Sequence, residues 1–231
     1  MLTRLRHLAN AFNANYCLLC RLTTVNELGI CADCSQAIPR WFPRCCLHLA
    51  SETGAQVDGV LICDYWFACF RWNQFSKALI YRYKELGQTE LSVCLAHCLA
   101  GHLVCCYREH RLDLPDCIVA MPVIRSRWQQ RGFHHTGYIA KKVSELLGVP
   151  YYAGVLRVIR PLPVQKGQTR AERLQAARGS QFCRLNVKDK VVAVLDDVIS
   201  SGATMGAAAS ALKKAGATAV HGWAVIYNQG D

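Results

Sequence analysis

The alternation of apolar and polar positions outlines the chain before any single residue does. Positions 60–70 are rich in β-branched and aromatic residues and predict a strand, while 75–85 and 91–107 are longer stretches that predict helices. A short apolar strand is expected at 117–123, after the breaker Leu114-Pro115-Asp116. Over 137–147, Ile139, Val143, Leu146 and Leu147 fall on one helical face, and Gly148 with Pro150 ends the helix. A strand-like piece at 155–159 leads into a polar, basic loop over 161–179. The run 191–195, Val-Val-Ala-Val-Leu, is short and wholly apolar, as a parallel strand covered on both faces should be. A helix at 205–215, closed by Gly216, and a strand at 219–227 complete the pattern. Strand and helix alternating through the C-terminal half predict an α/β fold with a doubly wound parallel sheet flanked by helices.

At 231 residues, 52% of them hydrophobic and 19% charged, the chain can bury one ordinary α/β core with a small appendage. That composition excludes wholesale disorder and a fibrous repeat. The longest uncharged apolar run, 91–107, is interrupted by Ser92, His97, Gly101 and His102, so no membrane insertion is expected. Asn10, Asn13 and Asn15 stand where a secretory signal needs a continuous apolar core, and a cytoplasmic location is expected. The polar stretch 51–56 suggests a boundary, with a cysteine-rich segment over 1–55 and the α/β domain over 56–231.

Charge sharpens the picture. The net charge is +11, and the stretch 122–190, with 14 basic and 3 acidic residues, carries an excess equal to the whole. A solvated basic surface would explain this, and so would a phosphate-rich small molecule or a nucleic acid. Trp128, Phe133 and Tyr138 are interleaved with the cations, which suits phosphate contacts combined with base stacking.

The chain has 14 cysteines, about 6% of its residues, below the roughly 8 to 10% of a secreted disulfide scaffold. The sharpest arrangement is Cys17-x2-Cys20 followed, ten residues on, by Cys31-x2-Cys34. Two such knuckles supply four thiolates to one tetrahedral zinc ion, which would contribute folding free energy to a segment short of core residues. Cys45, Cys46, His48 and Cys63 lack that spacing, and no second metal is expected there. Cys94, Cys98 and Cys105 lie near one helical face, where packing as small buried hydrophobes is expected.

The most informative stretch is 191–204, Val-Val-Ala-Val-Leu-Asp-Asp-Val-Ile-Ser-Ser-Gly-Ala-Thr. A buried strand runs into Asp196 and Asp197, then a small-residue turn, then a helix start. Backbone N–H groups of Ser200, Ser201, Gly202, Ala203 and Thr204 can converge at the helix N-terminus, and the hydroxyls of Ser200, Ser201 and Thr204 add donors for a phosphate. The twin acids would accept hydrogen bonds from vicinal sugar hydroxyls at the carboxyl end of the strand, where open α/β sheets bind ligands. The bland alternative is a helix cap followed by an ordinary turn. No P-loop and no dinucleotide fingerprint is present.

This stretch resembles the phosphoribosyl pyrophosphate (PRPP) motif of type I phosphoribosyltransferases, in particular their ComF-like (GntX-like) branch, with Ser200-Ser201 where Thr-Thr is usual. The resemblance extends over nearly the whole chain. The paired cysteines Cys17 to Cys34 look like the family's leader, Tyr83-Lys84-Glu85-Leu86-Gly87 like its Lys-containing helix end, and Ala120-Met121-Pro122-Val123 like its Val-Pro-Val-Pro strand end. Arg131-Gly132-Phe133-His134-His135 is similar to its Arg-Gly-Phe-Asn-Gln, and Gln165 with Thr169-Arg170-Ala171-Glu172-Arg173 to its Gln and Ser-Arg-x-x-Arg loop. His134 and His135 replace an amide pair, Ala176 takes the usual Asn position, and the family's second set of knuckles survives only as Cys45-Cys46 and Cys63.

The resemblance implies a type I phosphoribosyltransferase-like parallel sheet flanked by helices, with a small N-terminal zinc-ribbon-like segment. It implies PRPP with Mg²⁺ as ligand, the turn Ser200 to Thr204 holding the 5′-phosphate and Asp196 and Asp197 the ribose hydroxyls. Lys84, Arg125, Arg127, Arg170 and Arg173 are then candidates for the diphosphate, the last two on a basic loop able to close as a lid. Two functions stay open: handling of incoming single-stranded DNA during natural transformation, alongside other competence proteins, or phosphoribosyl transfer to a nucleobase or amine with release of pyrophosphate. No residue identifies an acceptor site, and His134 and His135 are expected to be structural.

Overall fold

The computed structural model describes residues 16–20, 22, 30–47, 62–160, 172, 175, 177 and 179–228. Its centre is a five-stranded, all-parallel sheet built from β1 (Tyr65–Arg71), β2 (Cys117–Ala120), β3 (Tyr151–Tyr152), β6 (Val191–Ile199) and β7 (Ala219–Tyr227), in the order β1-β7-β6-β2-β3. Strands β4 (Leu156–Val158) and β5 (Gln181–Cys183) pair antiparallel as a separate ribbon. The helices are α1 (Ala32–Ala37), α2 (Gln74–Lys84), α3 (Leu91–Glu109), α4 (Arg125–Arg131), α5 (His135–Leu147) and α6 (Ala203–Lys214).

The apolar run of β6 lies at the bottom of the core, with Val192, Ala193, Val194 and Leu195 fully buried. In the neighbouring β7, Val220, Trp223, Ala224, Val225 and Ile226 are equally enclosed. Burying such strands on both faces is what makes a central parallel sheet favourable, at roughly 1.5–3 kcal/mol for each large aliphatic side chain removed from water. One polar network is threaded through this core. Trp223 Nε1–H donates to the Tyr107 hydroxyl at 3.2 Å, and Tyr107 in turn meets His221 Nδ1 at 2.6 Å. Burial holds His221 down at about 4, so its ring is neutral.

Helix α3 is long and apolar enough, by length and composition alone, to cross a membrane. Its inner face, Leu91, Leu95, Leu99 and Leu103, is fully buried, and the helix packs against β1 and α5. Cys94 and Cys106 lie on that inner side, Cys98 is half-buried, and Cys105 is exposed. The cysteine face expected from spacing is therefore rotated, because the leucine stripe sets the helix's orientation.

Helix α2 starts with a reciprocal cap, in which Asn73 Oδ1 accepts from the Ser76 amide and Ser76 Oγ accepts from the Asn73 amide, both at 2.9 Å. It ends at Lys84. The cysteine-rich stretch joins the same core through Ile30, Ile38, Trp41, Cys45 and Cys46. The Trp41 amide donates to Cys69 O at 2.7 Å and the Arg71 amide to Pro39 O at 2.9 Å, while Arg82 reaches the carbonyls of Leu18 and Leu19.

Of the elements given above, four escape the pattern of the sequence: α1, α4, β3 and β5. Helix α4, Arg-Ser-Arg-Trp-Gln-Gln-Arg, buries no side chain and so carries no apolar stripe to detect. Strand β2 stops at Ala120, short of the proline at 122, which cannot donate to a ladder. Strand β6 runs on to Ile199, four residues beyond the apolar run, because β7 continues to pair with it up to Ile199 and Tyr227.

Candidate functional site

From β2 the chain moves away from β6 toward β3, and from β6 it moves the other way, through α6 to β7. The crevice between the carboxyl ends of β2 and β6 is thus the switch point of the sheet, where the departing connections diverge and leave room for a ligand. A cavity of about 290 Å³ occupies that place. Its walls come from Met121, Pro122, Val123 and Ile124 after β2, Asp196, Asp197 and Val198 of β6, and Thr204 of α6. Lys84, Arg127, Arg131, His135, Arg160, Ser180 and Gln181 complete the rim.

The two acids differ in role. Asp197 is only 2% exposed, and its Oδ2 meets Lys84 Nζ at 2.5 Å and His135 Nε2 at 3.2 Å, while Oδ1 accepts from the Val198 amide at 2.7 Å. Burial, reinforced by Lys84 and Arg131, pushes His135 down to about 2. The imidazole is therefore neutral, and its approach to Asp197 is a close polar contact rather than an ion pair. Asp196 is partly exposed to the cavity and makes no ion pair among the described residues; its Oδ1 accepts from the Asp197 amide at 2.9 Å. Burial raises Asp196 from 3.8 to about 6, opposed by Lys84, and burial lowers Lys84 from 10.5 to about 8. At neutral pH Asp196 and Lys84 are therefore both charged.

Beyond β6, Gly202 caps α6 with φ of +75°, a left-handed conformation in which a side chain would be strained. No side chain caps this helix, and the Ala203 amide has only Ser201 Oγ at 3.5 Å. Its first amides are thus available to an anion. Thr204 reaches the cavity wall, Ser200 is exposed, and Ser201 is half-buried.

Of the residues expected from the sequence, Lys84, Asp196, Asp197 and Thr204 line one cavity. Lys84 is engaged by Asp197 rather than free for a ligand. Arg125 lines a neighbouring cleft, while Arg127, also expected from the sequence, and Arg131 of the same helix line the cavity. Arg170 and Arg173 lie outside the described residues. Phe133 is also corrected as a stacking platform, since it is buried with Tyr83 at 5.5 Å and Tyr138 at 5.7 Å between ring centroids. His134 caps α5, its Nδ1 accepting from the Gly137 amide at 2.9 Å. Ser180, Gln181 and Arg160 were not legible as wall residues, because it is the pairing of β4 with β5, a strand the pattern does not show, that brings them to the cavity.

The sulfur atoms of Cys17, Cys20, Cys31 and Cys34 lie within 4.8 Å of one another. Cys20 Sγ and Cys31 Sγ are 3.7 Å apart, close to the roughly 3.8 Å edge of a tetrahedron with 2.3 Å Zn–S bonds. The amides of Leu19 and Cys31 donate to Cys17 Sγ at 3.4 and 3.3 Å, stabilising a thiolate there. The donor set fits zinc.

No model of a known protein family matches the chain. Among solved structures it is similar to a glutamine PRPP amidotransferase from B. subtilis (24% identity, 56% of this chain and 25% of that one, TM-score 0.36). It is also similar to a purine phosphoribosyltransferase from Pyrococcus horikoshii (19% identity, 58% and 79%, TM-score 0.35). Curated relatives cover far more of it. Competence protein F of Haemophilus influenzae is 24% identical over 225 residues, 93% of this chain and 97% of that protein. The DNA utilization protein YhgH is 23% identical in Salmonella typhimurium and 25% in Escherichia coli, each over 90% of this chain and 94% of the relative. Along nine-tenths of its length, then, this chain is similar in sequence to Competence protein F and the YhgH proteins.

Proposed function

We propose that the chain is a ComF-like, phosphoribosyltransferase-like protein that binds PRPP in the cavity between β2 and β6 and acts in the uptake and use of DNA, handling single-stranded DNA in the cytoplasm. One observation carries the ligand assignment: a carboxylate without an ion pair among the described residues, Asp196, faces the same cavity as the start of the uncapped helix α6, at the switch point of the sheet. Asp196 would accept hydrogen bonds from the ribose hydroxyls, and the amides and hydroxyls of Ser200 to Thr204 would hold the 5′-phosphate. Asp197 acts at one remove, held by Lys84 and His135 as part of the wall. Arg127, and Arg170 and Arg173 from the basic loop, are the cations for the diphosphate.

Mg²⁺ would arrive with the diphosphate. Among the described residues the one cluster able to hold a metal by itself is the cysteine set, so the magnesium would be held chiefly by the ligand's own oxygens. Zinc on Cys17, Cys20, Cys31 and Cys34 would be structural, tying the knuckles to α2 through Arg82. The names of the relatives, a competence protein and DNA utilization proteins, support the biological role, and the basic excess of 122–190 supports contact with nucleic acid.

Phosphoribosyl transfer is the second reading, favoured by the cations around the cavity, which would stabilise negative charge developing on a departing pyrophosphate. The decisive experiment is calorimetric titration of PRPP into wild type and Asp196→Asn. The variant keeps the shape and the Asp197 amide contact but weakens the hydroxyl acceptor, so affinity should fall at least tenfold. Equal affinity would remove the assignment. Pyrophosphate release across a panel of nucleobases and amines separates turnover from binding.

A further inference from the structure

Next to the sugar-phosphate cavity lies a second and larger space, a cleft of about 1340 Å³ bordered by α4, the start of α5, β3 and β4. The two share Pro122, Val123, Ile124 and Val158 as a common wall. The chemistry of the cleft is distinctive. Trp128 and Tyr138 stand 47% and 49% exposed on it, with Tyr151 behind them. Arg125, Lys141 and Arg157 line it with no ion pair to a described residue, Lys142 is paired outward with Glu145 at 2.8 Å, and no acid is among the lining residues. Aromatic faces set among unpaired cations select a ligand that carries both planar rings and repeated negative charge. The volume exceeds the roughly 300–1,000 Å³ of a small-molecule site, which favours a length of polymer over a single nucleotide.

Helix α4 separates the two spaces. Arg127 and Arg131, one turn apart, face the cavity; Arg125, Trp128 and Gln129 face the cleft. This partition buries none of its seven residues. Among the described residues its side chains are tied by the pair of Arg131 with Glu85 at 2.5 Å and the edge contact of Trp128 with His134 at 5.6 Å. An element held so lightly opens at low free energy, and a ligand that orders it from one side lowers the ordering cost for a ligand on the other.

Building on the reading of this chain as a PRPP-binding, DNA-handling protein, we infer that the cleft seats a single-stranded DNA segment. Its bases stack on Trp128 and Tyr138, its phosphates lie on Arg125, Lys141 and Arg157, and α4 couples it to the neighbouring cavity so that PRPP and the strand bind with positive cooperativity.

The test uses the full-length, zinc-loaded chain and fluorescence anisotropy of labelled oligo-dT. Trp128→Ala should weaken binding about five- to hundredfold, with Trp128→Phe retaining most of the affinity, and Lys141→Ala/Arg157→Ala should flatten the salt dependence. Saturating PRPP should tighten oligo-dT binding about fivefold or more, and oligo-dT should tighten PRPP by the same factor, as linkage requires. Unchanged affinity in Trp128→Ala, an abasic strand bound as well as oligo-dT, or dTMP bound as tightly as the oligomer would overturn the cleft assignment. PRPP that binds but leaves oligo-dT affinity unchanged, or weakens it, would overturn the coupling. PRPP that does not bind at all would sink the function proposed for the cavity and the coupling with it, while the Trp128 arm still decides the cleft.

Discussion

The contact between Lys84 and Asp197 yields the sharpest quantitative expectation. Lys84→Met keeps most of the apolar stem and removes the ammonium, leaving an almost inaccessible carboxylate without its cation. Breaking a buried pair from one side costs about 3–5 kcal/mol. Here the lower end applies: the Lys84 side chain is 20% exposed, and Asp197 keeps its bond from the Val198 amide and its close contact with His135. A loss of about 3 kcal/mol corresponds to a Tm lower by about 6–12 °C for a chain of this size. Lys84→Met/Asp197→Asn removes both charges and should recover most of that loss, since the amide oxygen still accepts from Val198. Differential scanning calorimetry at neutral pH measures all three proteins. A Lys84→Met variant within about 2 °C of wild type, or a double variant no more stable than the single one, would refute the reasoning and return Lys84 to the list of ligand contacts.

Further outcomes follow from the same geometry. Asp196 is raised by burial from 3.8 to about 6, so PRPP affinity should fall as the pH drops through about 6, and calorimetry from pH 5 to 8 would trace that limb. For the same group, a folded-state value above the unfolded one means the charged form is disfavoured by folding. That penalty is absent below about pH 4 and complete above about pH 6, so Asp196→Asn should gain stability relative to wild type between those values; a stability difference independent of pH contradicts this. Gly202→Ala forces a side chain into the left-handed region at the head of α6, which should cost about 1–2 kcal/mol in urea unfolding and weaken PRPP as well. Zinc should be found at one ion per chain by mass spectrometry, with Cys31→Ser losing both metal and thermal stability; full stability after chelation would exclude a structural ion.

Much of this protein was written locally. The apolar run at 191–195, the acids that follow it, the small-residue turn and the helix start all rest on neighbours in the chain, and period and composition report such things well. The same holds for the four knuckle cysteines, whose spacing alone brings two thiolates into each turn. What depended on distant segments could not be read this way. Asp196 and Asp197 are adjacent and chemically identical; only the arrival of Lys84, from the end of α2, and His135, from the start of α5, beside Asp197 distinguishes them and leaves Asp196 to the cavity. Arg125 and Arg127 are likewise indistinguishable in sequence, and it is the position of α4 between two spaces that sends one to each. Helix α4 itself has no apolar period because it buries nothing, so it exists only where the ends of its neighbours hold it. Periodicity encodes which face of an element meets the core, but the partner of a polar group is fixed by long-range closure of the sheet, and that is a property of the folded molecule alone.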